Sequence, residues 1–145
     1  MKAFFNYSIP NQRSFKEKLK IRHFIEFLFK REGKILKRID YIFCDDLYLL
    51  SINQSFLNHD YFTDIITFDL SEKKDWIIGE VYISVDRIKE NAKFFSVTTN
   101  EERLRVIIHG ALHLCGYKDK KKTDKEIMRQ KENEYLLQFI KFKST

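Results

Sequence analysis

The side chains best suited to chemistry are two histidines, His109 and His113, inside an apolar run that begins at Leu104. Four residues is just over one helical turn, so on a helix both imidazoles leave one face, with Cβ atoms roughly 5–6 Å apart. That separation lets two ring nitrogens reach one metal ion at about 2.0–2.1 Å. Gly116 follows, and glycine takes the left-handed backbone of a residue just past a helix end without steric cost. The chain can turn back there, and Asp119 lies beyond the turn. His109, His113 and Asp119 thus form a candidate metal site with a fourth position open. Three protein ligands plus water is the pattern of a catalytic zinc ion, not a structural one. Neutral imidazole with a hard carboxylate suits a single Zn2+. An isolated H-x-x-x-H on an apolar helix is more often a packed, hydrogen-bonded pair. Here the glycine stop and the carboxylate that follow shift the balance toward metal.

The chemistry around the pair is incomplete in an informative way. A zinc protease of the H-E-x-x-H type places its general base directly after the first histidine. This chain has Gly110 there. Glycine neither takes a proton from water nor gives one to a leaving group. That argues against the protease mechanism and leaves metal-assisted hydrolysis open, since a metal itself lowers the pKa of bound water toward about 7. No residue stands out as a general base. Lys118, Lys120, Lys121 and Lys122 flank Asp119. Beside an open metal site such a cluster attracts phosphate oxygens, although it also suits a solvated loop before a helix. Aromatic side chains could stack on bases, but most stand at core spacing and none is assigned.

The elements that position these residues follow from periodicity. Ala3 to Ile9 reads as a strand ended by Pro10. Ser14-Phe15-Lys16-Glu17 is a capping box for a helix through Phe15, Leu19, Ile25, Leu28 and Phe29, closed by Gly33. Ile35 to Cys44 alternates as a strand, and Asp45 or Asp46 can cap a helix from Leu47 to about Phe56. Leu57 to Phe62 is a loop. Thr63 to Phe68 reads as a strand with Trp76 to Ser84 as its hairpin partner. A helical pattern runs from about Val85 to Phe95. Thr99-Asn100-Glu101-Glu102 is a second capping box, opening the helix that carries the histidines. Thr123-Asp124-Lys125-Glu126 is a third, opening a final helix through Met128, Tyr135, Leu136, Phe139 and Ile140. Cys115 lies at core spacing and reads as a packed thiol rather than a ligand.

Composition bounds the class. The 145 residues suit one domain with a real core, 43% of them hydrophobic with fourteen Phe and seven Tyr. One Pro and four Gly leave no room for a flexible linker. A net charge of +6 favours an anionic partner. Cys44 and Cys115 form no CxxC, which fits a reducing compartment. The N-terminal stretch lacks a signal-peptide core, and no apolar run approaches the roughly 18 residues that span a membrane.

His109-Gly110-Ala111-Leu112-His113-Leu114-Cys115-Gly116-Tyr117 resembles the signature of the YbeY family, H-G-x-L-H-L-x-G-Y-D-H. Members of that family are bacterial rRNA maturation factors regarded as metal-dependent endoribonucleases. Thr63-Asp64-Ile65-Ile66-Thr67-Phe68 is similar to the family's T-D-V-L-S-F strand, and Ile78-Gly79-Glu80-Val81 to its L-G-D-I. Met128 and Glu132 fall where the family has a Met and an acidic residue. Two departures stand out: Asp119 occupies the position of the family's third histidine, and the loop from Leu57 to Phe62 lacks the family's usual Arg. The resemblance implies a single α+β domain over residues 1–145. It implies a small mixed β-sheet of about four strands packed with about five helices, and a zincin-like H-x-x-x-H helix. It further implies a zinc-dependent, single-strand-specific endoribonuclease, with one Zn2+ on His109, His113 and Asp119. Such an enzyme acts in late 16S rRNA 3′-end maturation and ribosome quality control. Its expected partners are the 16S rRNA precursor and the ribosome, in the cytoplasm, with no membrane and no nucleotide cofactor. The two departures motivate an alternative: a non-catalytic rRNA-binding assembly factor with a structural metal. A metalloprotease is disfavoured by Gly110.

Overall fold

A computed structural model of the chain describes residues 1–9, 15–59 and 63–143. Its elements run β1 (Ala3–Tyr7), α1 (Lys18–Arg31), β2 (Ile35–Cys44), α2 (Asp46–Leu57), β3 (Ile65–Asp69), β4 (Trp76–Ser84), α3 (Val85–Phe94), α4 (Thr99–Leu114) and α5 (Lys122–Lys141). The strands form one mixed sheet in the order β1-β2-β4-β3. β2 pairs in parallel with both β1 and β4, while β3 and β4 are antiparallel. Parallel neighbours need a crossover. Helix α1 supplies the first, and α2 with β3 supplies the second. The α+β domain with a small mixed sheet matches the expectation from sequence.

Strand alternation decides which helix covers which face. Val81 and Ile83 of β4, with Tyr41 and Phe43 of β2, are fully buried against Ile107, Ile108 and Ala111 of α4 and against α1. The intervening residues Ile66, Phe68 and Tyr82 meet Leu49 and Ile52 of α2 on the opposite face. Each large apolar side chain buried this way contributes about 1.5–3 kcal/mol. The main core therefore lies between the sheet and the histidine helix, and it fixes how α4 is rotated.

Two glycines set how closely α4 lies on the sheet. A Cβ on Gly110 would stand 2.8 Å from Val81 Cγ1 and 3.2 Å from Ile65 Cδ1. A Cβ on Gly79 would stand 2.6 Å from Leu114 Cδ1 and 3.3 Å from the Phe68 carbonyl. The position of the protease's general base is thus crowded by Val81 and Ile65 of the sheet, and a side chain there requires them or the helix to shift.

Several cap assignments differ from the sequence reading. α4 is capped by Thr98, whose hydroxyl accepts from the Glu101 N–H at 3.1 Å, one residue before the expected Thr99. Two adjacent threonines offer the same hydroxyl, and the one with extended backbone takes the role. The expected box at Thr123 does not form: α5 starts at Lys122, and Lys121 at its cap makes no side-chain bond. Ser14 and Pro10 lie outside the described residues, and Glu17 stands at the cap position of α1 with a φ of 60°. Of the two candidate aspartates, Asp45 caps α2, accepting from the Tyr48 N–H at 2.8 Å, and Asp46 is the helix's first residue. β3 begins at Ile65 rather than Thr63, although the Asp64 carbonyl still accepts from the Ser84 N–H at 3.0 Å.

Candidate metal centre

The site starts where α4 ends. Gly116 takes a φ of +107°, a conformation strained for any L side chain. Its N–H donates to the His113 carbonyl at 3.0 Å, and the Tyr117 N–H donates to the Leu112 carbonyl at 3.1 Å. This pair of bonds is the glycine-dependent helix stop. It folds residues 117–119 back beside the last turn. The Tyr117 carbonyl then lies 3.0 Å from His113 Nδ1, and Asp119 Oδ2 lies 3.1 Å from His113 Nε2. The same oxygen is 3.2 Å from His109 Nε2. All three residues singled out from the sequence therefore meet.

His109 Nδ1 lies 2.6 Å from Oε2 of Glu132 on α5. Carbonyls and carboxylates only accept, so with each Nε2 lone pair turned to a metal both histidines would carry their proton on Nδ1. That fixes the tautomer and aims each Nε2 at Asp119, the outer-partner arrangement found around metal-bound histidines. Glu132 is buried and also accepts from Arg105 Nη1 at 3.0 Å, while Arg105 Nη2 donates to Asn133 Oδ1 at 2.9 Å. Burial disfavours both charges of the His109–Glu132 pair. The hydrogen bond and charge of the partner outweigh burial in each, holding Glu132 below the usual carboxylate range and raising His109 above its ordinary value.

The donor set fits a small divalent cation. The ligand atoms of His109, His113 and Asp119 lie within 4.8 Å of one another. Three donors about 2.0–2.1 Å from a common centre, at tetrahedral angles, stand roughly 3.3–3.4 Å apart. The two Nε2–Oδ2 separations of 3.2 and 3.1 Å are close to that spacing. Cys115 is not part of the set. It packs against the core, and burial, reinforced by the Glu32 carboxylate, pushes its thiol up to about 12.

The centre opens into a cleft of about 990 Å³. Of the four lysines flanking Asp119, Lys120 lines this cleft, joined on its α5 side by Lys125 and Arg129. Asp64 and Glu102 line it too, and burial raises both carboxyls above the usual range. A further carboxylate ties the surroundings together: Glu32, at the end of α1, accepts from the Tyr117 hydroxyl at 2.7 Å and from the Tyr135 hydroxyl. Sequence reasoning left Asp64, Arg105 and Glu132 without roles. Asp64 sat within a quoted strand block and Glu132 at a noted acidic position, whereas nothing in the spacing marked Arg105.

Known proteins resemble the chain over most of its length. The sequence profile described as Endoribonuclease YbeY matches residues 7–140. A protein of that name from Cytophaga hutchinsonii is 46% identical over 129 residues, 89% of this chain and 90% of its own. Another from Flavobacterium psychrophilum is 48% identical over 135 residues, covering 93% of this chain and 94% of its own. A Thermotoga maritima protein solved in solution superposes with a TM-score of 0.65 at 28% identity, covering 96% of this chain and 89% of that one.

Proposed function

Since the chain belongs to the YbeY endoribonuclease family, we propose that it is a zinc-dependent, single-strand-specific endoribonuclease. In this reading residues 1–145 form one metal-dependent hydrolase domain. It acts in late 16S rRNA 3′-end maturation and ribosome quality control, on the rRNA precursor and the ribosome. It works in the cytoplasm, in keeping with its free cysteines and with the absence, among the described residues, of a helix long and apolar enough to cross a membrane.

One observation carries the reading: two Nε2 atoms converge on one Asp119 oxygen, at 3.2 and 3.1 Å, while both Nδ1 atoms are held from behind. His109, His113 and Asp119 are the ligands we assign to one Zn2+. When bound, the ion supplies a polarised phosphoryl oxygen and an acidified water. The protein's own residues do the rest. Glu132 and the Tyr117 carbonyl keep the two imidazoles aimed. Lys120, Lys125 and Arg129 draw phosphates into the cleft. Asp64 and Glu102, their carboxyls raised by burial, retain protons at higher pH than exposed carboxylates do. Asp119 in place of histidine keeps a donor at the third position and lowers the net charge of the loaded site.

The test is cleavage of single-stranded RNA by protein of measured metal content, before chelation, after it, and after zinc is restored. Cleavage that follows zinc supports the reading. Metal-loaded protein that leaves single-stranded RNA intact would defeat it.

A further inference from the structure

We propose that Phe95, with Phe94 and Arg129 beside it, forms a nucleobase-stacking subsite at the mouth of the metal cleft, taking an unpaired base of single-stranded RNA. The inference rests on the endoribonuclease reading and names a contact for its substrate.

Helix α3 buries Ile88 and Ala92. Phe95 continues that face at helical spacing, but there the core stops and the cleft begins. Phe95 is left 52% exposed and Phe94 80% exposed, their rings perpendicular with centroids 5.0 Å apart. Both rings stand on a fixed helix end. The Phe95 N–H donates to the Asn91 carbonyl at 2.9 Å, and the Val97 N–H to the Ala92 carbonyl at 3.0 Å. The backbone beneath the rings is already ordered, so binding has only side chains to order.

The surroundings select the occupant. Phe95 and Asn91 line the same cleft as His109, His113 and Asp119. On the α5 side, the Arg129 guanidinium lies 5.9 Å from the Phe95 ring centroid. Lys120 and Lys125 line the cleft as well, and both are exposed. An aromatic face bounded by cations suits a base with its phosphates: the ring stacks on Phe95 while the backbone meets the positive wall. Asn91, one turn before Phe95, offers an amide with both donors and an acceptor for a base edge. Stacking accepts any base, so the subsite would hold the strand without reading its sequence.

The experiment measures binding of short single-stranded RNA to the metal-free full-length protein, so that cleavage does not intervene. Phe95→Ala should weaken binding roughly 5- to 150-fold, the range of one stacked base. Phe95→Leu keeps the apolar bulk and should weaken it similarly, while Phe95→Trp should retain it. Melting temperature and zinc content should stay near wild type for Leu and Trp. An abasic nucleotide walked along the RNA should, at one position, erase the difference between wild type and Phe95→Leu. Wild-type affinity in Phe95→Leu would overturn the subsite while leaving the endoribonuclease reading intact. Metal-free wild type that binds no RNA would overturn the subsite, and metal-loaded wild type that also leaves single-stranded RNA uncut would overturn both. A wild-type dimer that Phe94→Ser turns into a monomer, with RNA affinity unchanged, would make the pair a self-association face and overturn the subsite.

Discussion

His109 and His113 leave one face of one helix, yet they are held by different kinds of partner. His113 is supported locally, by the carbonyl of Tyr117 in the turn that ends its own helix. His109 is supported from α5, by the buried carboxylate of Glu132, which lies 23 residues away in sequence. The local support is neutral and costs the fold one glycine. The distant one is charged, and exists only because α5 packs back over α4. The two imidazoles therefore differ in what threatens them. A change in the turn acts on His113 and Asp119, whereas a change in helix packing acts on His109.

The largest effect should come from breaking the distant support. Glu132→Ala leaves the His109 Nδ1–H and Arg105 without their buried acceptor. Zinc affinity, read by competition with a chromophoric chelator, should fall about 10–100-fold. Unchanged affinity would show that the carboxylate does not orient His109 and would erase the contrast between the two rings.

Proton competition sharpens the same comparison. In the metal-free chain the folded pKa of His109 is raised above its ordinary 6.5, and that of Glu132 is lowered below its ordinary 4.5. The pair's contribution to stability is therefore present above the unfolded Glu132 value and below the unfolded His109 value. It is lost as pH falls through the folded Glu132 pKa, or rises through the folded His109 pKa. Zinc needs the lone pair on Nε2, so binding displaces the extra His109 proton. Affinity should rise by up to about tenfold per pH unit until the raised His109 value is passed. The zinc-induced gain in melting temperature should accordingly grow between about pH 5.5 and pH 8, a window that brackets the ordinary histidine pKa. A pH-independent gain would mean that His109 binds zinc without losing a proton.

Breaking the local support should cost less affinity. A Cβ at Gly116 meets nothing within 4 Å, so the cost of Gly116→Ala is backbone strain at a φ of +107°. About 1–2 kcal/mol of stability should be lost, read by denaturant unfolding. Zinc binding should weaken several-fold as the Tyr117 carbonyl and Asp119 shift. The His109–Glu132 proton, followed by NMR, should be unaffected. Disturbance of that proton would show that the two supports are mechanically coupled.

The same contrast explains what could be read in the sequence. The local half was legible: the histidine spacing, the glycine stop and Asp119 lie within one short stretch, and helix geometry places them without knowledge of the rest of the fold. Strands β2 and β4 were legible to the residue: β4 alternates along its length, and β2 alternates from Ile39 onward despite the register shift between Leu36 and Arg38. The distant half was not. Glu132 appears in the sequence as one acidic residue on a charged helix, and only the packing of α5 against α4 gives it a partner. Arg105 likewise acquires its role by reaching α5, which no periodicity marks. The mistaken caps at Thr99 and Thr123 show the limit of local reading. At α4 two adjacent threonines offer the same chemistry and the backbone path chooses Thr98, while α5 begins one residue before Thr123 and leaves its hydroxyl inside the helix.

The smallest predicted effect tests whether the local support is truly local. The Tyr117 hydroxyl donates to Glu32 at 2.7 Å, and Glu32 also accepts from Tyr135, which sits one turn past Glu132 on α5. One carboxylate just past α1 thus touches both the turn behind His113 and the helix behind His109. Tyr117→Phe removes the hydroxyl but leaves the carbonyl that His113 uses, and Glu32 keeps its bond to Tyr135. If the glycine turn alone holds that carbonyl, stability should fall by about 1 kcal/mol, the net worth of one hydrogen bond, and zinc affinity should change less than threefold. If affinity instead falls as far as it does in Glu132→Ala, the support of His113 runs through Glu32. Both histidines would then depend on long-range packing, and the contrast between them would collapse.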